Sequence, residues 1–245
     1  MTITDVNELY GHNEETFDID KSAAVISDTP AKIYEEYRYL RQYCPVIHNN
    51  QYGGYWLFTR YDDVKRAAMD SHTYISRVKA VVPSDPRGIR RPPLNFDAPA
   101  HTPFRTALEK TVKPSRINGL RLPLYQHAEA QLAPLLARGS GDISAEFGAN
   151  FVARMEAEWL NLDVSIAWDL AKTATAWLNA WRMQEGEVVT ANSQKMYKIA
   201  SDLLADRRVS PRQPEEDPAS SLLFGKDSQG NALSDEHLIT CLTSE

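Results

Sequence analysis

Cysteine is nearly absent: Cys44 and Cys241 are the two among 245 residues. Two thiols do not make a disulfide framework, and they lack zinc-site spacing. With a polar start that places Asp5 and Glu8 inside Met1–Tyr10, they point to a reducing, cytoplasmic compartment with no secretory leader and no N-terminal membrane anchor. Nor is any apolar run long enough to cross a bilayer. Positive charge is not in excess, since 27 Lys and Arg against 33 Asp and Glu leave a net charge of −6. That removes the general electrostatic case for nucleic acid. The densest basic group, Arg87, Arg90 and Arg91, reads as a solvated loop. His12, His48, His72, His127 and His237 show no metal-ligand spacing. There is no glycine loop to cradle a phosphate, no nucleophile elbow, no internal repeat and no low-complexity segment. The adjacent acids Glu35-Glu36 and Asp62-Asp63 point to different helix faces, so they read as solvated groups rather than acid–base pairs.

What is present is ordinary globular composition, 42% hydrophobic and 24% charged, in a chain long enough for one large domain or two small ones. Residues 1–29 read as an irregular polar arm and residues 30–245 as the folded part. Asp28-Thr29-Pro30 is a helix-start signal, and Ile33, Tyr37 and Leu40 recur at helical spacing to about Tyr43. Two short apolar runs, Pro45–His48 and Tyr55–Thr59, flank the turn cluster Asn49–Gly54 and predict a β-hairpin. Tyr61–Met69 is a short amphipathic helix, and the proline-rich stretch 77–96 is a loop. Helices are then expected at about 99–112, 114–137, 145–160, 165–181 and 191–208. An acidic surface linker follows from Pro211 to Pro218, then a short helix at Ala219–Phe224 and a turn at Asp227–Asn231. A last helix opens at Ser234-Asp235-Glu236. The fold class is mainly α with one small hairpin near residues 45–59.

The most informative stretch is Asp97-x-Pro99-x-His101-x-x-x-Arg105. Pro99 has φ preset for a first helical turn, and Asp97 can cap the amides just ahead of it. His101 and Arg105 are four apart and share a helix face. Cations are disfavoured in a first turn by the helix dipole, unless the turn faces a bound carboxylate or phosphate. On spacing alone, a solvated face with an Arg105–Glu109 pair is the preferred reading.

The run from Leu94 to Ile117 resembles the helix entry that grips the haem propionates in soluble, bacterial-like cytochromes P-450. Arg60-Tyr61-Asp62-Asp63-Val64, Thr73-Tyr74-Ile75-Ser76 and the closing Leu233–Cys241 match further elements of that family, in its order. The resemblance implies the N-terminal part of the cytochrome P-450 fold, a b-type haem, and His101 and Arg105 as propionate-binding residues. It makes the loop at 77–96, with Val81, Val82, Leu94 and Phe96, and the helix end carrying Trp177 and Trp181 the walls of the substrate pocket. For Trp177, Trp181 and Met183 a buried or partner-facing stripe is an equal alternative. The activity implied is oxidation of a small organic substrate with O2, using electrons from NAD(P)H through a ferredoxin or flavin reductase.

The resemblance covers only the first part of the family. The acid–Thr pair, the Glu-x-x-Arg pair and the haem-ligating Cys loop have no counterpart in these residues, and a thiolate ligand is what favours O–O cleavage. Neither cysteine is expected to replace it. Cys44 lies at a helix–strand junction, and Cys241 lacks a glycine-rich surrounding loop. No catalytic or metal-ligating residue is therefore assigned. The chain is expected to be inactive by itself, a truncated member of the family. The alternative is a non-catalytic helical interaction protein derived from the same fold.

Overall fold

The computed structural model describes residues 30–243, apart from 79, 80, 83 and 86. The arm assigned to residues 1–29 lies outside the described residues. The chain divides into two compact units: one runs to Ile75 and includes Val81–Ser84, and the other comprises Ser76–Ala80 and Asp85–Glu245.

The first unit begins with α1 (Pro30–Tyr43), followed by an antiparallel hairpin of β1 (Val46–Asn49) and β2 (Tyr55–Phe58) and by α2 (Tyr61–Met69). The hairpin pairs Val46 with Phe58 and Asn49 with Tyr55. Its turn needs positive φ at Tyr52, Gly53 and Gly54, and the Asn49 side chain helps by accepting the Gln51 amide at 2.7 Å. Gly54 also has no room to spare, because a Cβ there would meet the His48 ring at 3.3 Å. Gly54→Ala is expected to cost about 1–3 kcal/mol through backbone strain, read as a lowered thermal midpoint. The Arg60 guanidinium donates to the Arg41 carbonyl at 2.8 Å, fixing the start of α2 to the end of α1. Asp62 and Asp63 occupy the first turn of α2, where the helix dipole favours them.

The second unit holds the hydrophobic core and is helical after its opening loop. Its helices are α3 (Thr102–Thr111), α4 (Pro114–Arg138), α5 (Ala149–Trp159), α6 (Ala167–Arg182), α7 (Gly186–Val209), α8 (Pro218–Leu223) and α9 (Asp235–Leu242). A π-type turn at Ile143–Gly148 leads into α5, where the sequence predicts plain helix from 145. α3 buries Phe104, Ala107, Leu108 and Thr111, an i, i+3, i+4, i+7 stripe. α7 buries Val189, Ser193, Ala200, Leu204 and Arg207 along one face. These stripes meet the wholly buried Pro218–Leu222 of α8 and Leu238, Cys241 and Leu242 of α9. Leu204 and Leu222 are at most 1% exposed, and burying side chains of that size stabilises by about 1.5–3 kcal/mol each. The Ser221 hydroxyl donates to the Ala107 carbonyl at 2.7 Å and ties α8 to α3.

Four expectations need correction here. α3 begins at Thr102 rather than Pro99, with Pro103 as the proline of its first turn. α7 begins at Gly186 rather than 191, because Val189 is drawn fully into the core. In α4 the expected stripe is only partly covered: Leu120 is buried but Ile117 is 48% exposed. The supposed surface linker ends in a fully buried acid, Asp217. Burying a carboxylate requires partners. The Arg207 guanidinium donates to it at 3.0 Å, the Asn161 amide at 3.0 Å and the Ser220 backbone N–H at 2.8 Å. Arg116 in turn donates to the Asn161 side chain at 3.1 Å. Among the described residues, no helix is long and apolar enough to cross a membrane.

Candidate functional site

The start of α3 presents His101 and Arg105 on one turn. His101 occupies the capping position, where its amide donates to the Asp97 carbonyl at 2.9 Å and its carbonyl accepts the Arg105 amide at 3.2 Å. Among the described residues, the imidazole has no hydrogen-bond partner. The Arg105 side chain is 59% exposed, and its Nε donates to Glu109 at 2.8 Å, the pair that spacing alone favours. Its terminal nitrogens have no partner among the described residues. Thus one half-buried ring and one exposed guanidinium, both able to donate N–H bonds, lie on the same turn.

Asp97 does not cap α3. Its carboxylate reaches back to accept the amides of Ser76 at 2.8 Å and Arg77 at 3.1 Å, closing the base of the loop that lies between. The Ser76 amide is the main reason that the Asp97 carboxyl lies below the usual carboxylate range. Asp97 therefore stays ionised, and its tie intact, until the pH falls through that lowered value.

The basic group in the loop is not solvated as expected. Asp85 accepts from Arg87 Nε at 3.0 Å, from Arg87 Nη2 at 2.8 Å and from Arg91 Nη2 at 2.9 Å. The three side chains are 7%, 16% and 12% exposed respectively. Burial alone would push the Asp85 carboxyl up, but the arginine hydrogen bonds outweigh it and hold the group below its ordinary range. Arg90, in contrast, is exposed and donates to the Arg77 carbonyl. The sequence signal for this knot was an acid two and six residues before two arginines, within reach across a turn.

Trp177 and Trp181 are brought together, stacked at 6.1 Å between ring centroids and 5° between planes. The Arg91 guanidinium lies over the Trp177 ring, 5.2 Å from its centroid. The Trp177 N–H is satisfied by the buried Ser193 hydroxyl at 2.9 Å. Leu94 is 46% exposed. Phe96 instead packs inward, edge-on to Phe104 at 5.8 Å and to His237 at 5.1 Å. Val81 is exposed and Val82 half-buried, in the segment that belongs to the first unit. Met183 is largely exposed.

The donors at the head of α3 fit the carboxylates of a haem edge. An axial thiolate has no such support. Cys241 has no exposed surface and lies within the core of α9, so its sulfur cannot reach a metal in a cavity. Cys44 is half-buried in the first unit, with its amide bonded to the end of α1. Among the described residues, no three His, Cys, Asp or Glu side chains gather around a metal position. A hollow of about 100 Å3 lies among α5, α6, α7 and α9, lined by Trp159, Leu162, Leu170, Met196 and Leu203. It is too small for a drug-sized ligand.

Comparison with known proteins gives a consistent answer. No family model matches the chain. Among curated proteins it is 26% identical over 194 residues to vitamin D(3) 25-hydroxylase of Pseudonocardia autotrophica, covering 76% of this chain and 46% of that protein. It is 27% identical over 199 residues to cytochrome P450 107B1 of Saccharopolyspora erythraea, covering 75% and 47%. Among solved structures, a Mycobacterium marinum cytochrome P450 in complex with pseudoionone superposes with a TM-score of 0.75 at 18% identity, over 89% of this chain and 56% of that one. The chain thus spans about half the length of the curated relatives it matches.

Proposed function

We propose that this chain, a partial bacterial-type cytochrome P450 in fold and sequence kinship, supplies the propionate-binding and substrate-facing part of a haem-dependent monooxygenase. The observation that carries the reading is the pair of donors, His101 and Arg105, on one turn at the head of α3, for which the exposed Arg105–Glu109 contact is the side-chain bond found among the described residues. When bound, the b-type haem supplies the redox chemistry that activates O2. The chain's own residues do the holding. Arg105 offers two parallel N–H donors to one carboxylate, and His101 adds a third donor from the preceding turn. Asp97 keeps the loop base closed beside that turn, and the Trp177–Trp181 stack with Leu94 forms apolar walling for a small organic substrate. The name of the Pseudonocardia relative states hydroxylation for that protein; we extend oxidation of a small apolar molecule to this one. Electrons come from NAD(P)H by way of a ferredoxin or flavin reductase, and the reaction takes place in the cytoplasm.

Haem titration of the purified protein, followed by absorbance, tests the site. Replacing both His101 and Arg105 with alanine is expected to weaken binding by about 10- to 100-fold, in line with about 1.5–3 kcal/mol for hydrogen bonds to charged groups. Unchanged affinity in the double variant would remove the propionate site, and with it the basis for this reading.

A further inference from the structure

In the loop segment from Arg87 to Phe96, Phe96 packs against the core cluster and the Pro92 side chain is fully buried, while two guanidiniums supply its charged contacts. Within the segment, the Arg91 amide donates to the Asn95 side chain and the Asn95 amide to the Arg91 carbonyl, both at 3.0 Å, so the chain there is a self-closed turn. Its charged contacts with the helices come from two guanidiniums. Arg91 covers Trp177 of α6, and Arg87 lies beside Tyr197 of α7. Both converge on the single carboxylate of Asp85. Among the described residues, the Asp85 carboxylate is the anion that both half-buried cations share; without it, like charges face each other in a poorly solvated place.

We infer that Asp85, Arg87 and Arg91 form a latch that holds the 87–95 segment against α6 and α7, so that the segment opens as a local unit when the cluster is broken while the helical core stays closed. Asp97 and Phe96 lie outside the latch and keep the loop base in place during opening. If the proposed function holds, the latch governs access to the Trp177–Trp181 wall. The latch itself does not depend on haem.

Hydrogen exchange read by mass spectrometry on the full chain tests this. Asp85→Asn keeps the side-chain shape and removes the charge. It is expected to speed exchange of the amides of Arg87, Arg91 and Asn95 at least tenfold, leaving the Leu203 and Leu204 amides of α7 at wild-type rates. Asp85→Glu should restore most of the protection. Asp202→Asn, which breaks an exposed ion pair with Lys198 on α7, should change nothing in the loop. Wild-type exchange in Asp85→Asn, or acceleration spread evenly into α7, overturns the inference. Failure of the haem titration would leave these outcomes untouched, so the two ideas fail separately.

Discussion

Asp217→Ala is expected to destabilise the fold by about 3–5 kcal/mol, because it strands the Arg207 guanidinium without its buried partner. Arg207 is 4% exposed and Asp217 is fully buried. The loss would extend beyond the pair. Asn161, which has φ of 53°, donates to both the Asp217 carboxylate and the Glu216 carbonyl, and its carbonyl accepts from Arg207 at 3.3 Å. Asp217→Asn should cost less, since an amide oxygen can still accept from the Ser220 N–H, but Arg207 then keeps only the exposed Asp206 carboxylate as its counter-ion among the described residues. Replacing the pair together, with Arg207→Met and Asp217→Leu, should recover much of the loss, because two matched apolar groups need no counter-ion. Urea midpoints of the three variants decide it: equal midpoints for wild type and Asp217→Ala would show that the buried pair contributes nothing. The same group sets an acid limit. Burial alone would raise the Asp217 carboxyl, but the Ser220 amide and the Arg207 guanidinium outweigh that and hold it below the usual carboxylate range. Its folded-state pKa is therefore depressed, so its contribution is complete above the ordinary aspartate value of about 4 and is lost as pH falls through the lowered one. Asp217→Asn should accordingly flatten the acid limb of the stability profile.

Phe104→Ala is expected to cost about 3–5 kcal/mol as well, through lost burial and the cavity left behind. Phe104 is 3% exposed in the largest core cluster. It also meets Phe96 at 5.8 Å and His237 at 6.0 Å between ring centroids, edge to face in both cases. Phe96 belongs to the loop and His237 to α9, so one ring joins three parts of the second unit. Removing it should lower the urea midpoint and also loosen the end of the loop, seen as faster exchange of the Phe96 amide, which now donates to the Pro93 carbonyl at 3.1 Å. Leu204→Ala, at a site of similar burial on α7, should cost about 2–5 kcal/mol of stability and leave that amide alone. A Phe104→Ala variant with an unchanged midpoint would mean that the core closes over the gap.

The local pattern was legible where the cause was local. α2 was bounded correctly because its first-turn acids, its apolar spacing and the preceding extended residue all lie within ten positions. The hairpin was visible for the same reason. The start of α3 was misplaced because Pro99 and Pro103 both suit a first turn. What separates them is the use of Asp97 by two amides about twenty residues upstream, which no local window contains. Asp217 was taken for surface because its neighbours are acidic and proline-bearing; its burial depends on Arg207 and, through a distant turn, on Asn161. At the candidate site, His101 and Arg105 were singled out by the family resemblance, whereas spacing alone pointed to the Arg105–Glu109 pair, which the structure contains. The reversal at Arg87 and Arg91, from solvated to half-buried, came from a single carboxylate whose placement only the folded loop defines.

The bond from the Ser221 hydroxyl to the Ala107 carbonyl joins positions 114 residues apart. During synthesis at about 5–20 residues per second, the apolar face of Phe104, Ala107 and Leu108 therefore emerges roughly 6 to 23 s before the segment that covers it is made. For that interval the nascent polypeptide carries an uncovered sticky stripe. Yield in the cell should respond to trigger-type chaperones and to translation speed between these two segments, more than to the final stability of the folded product.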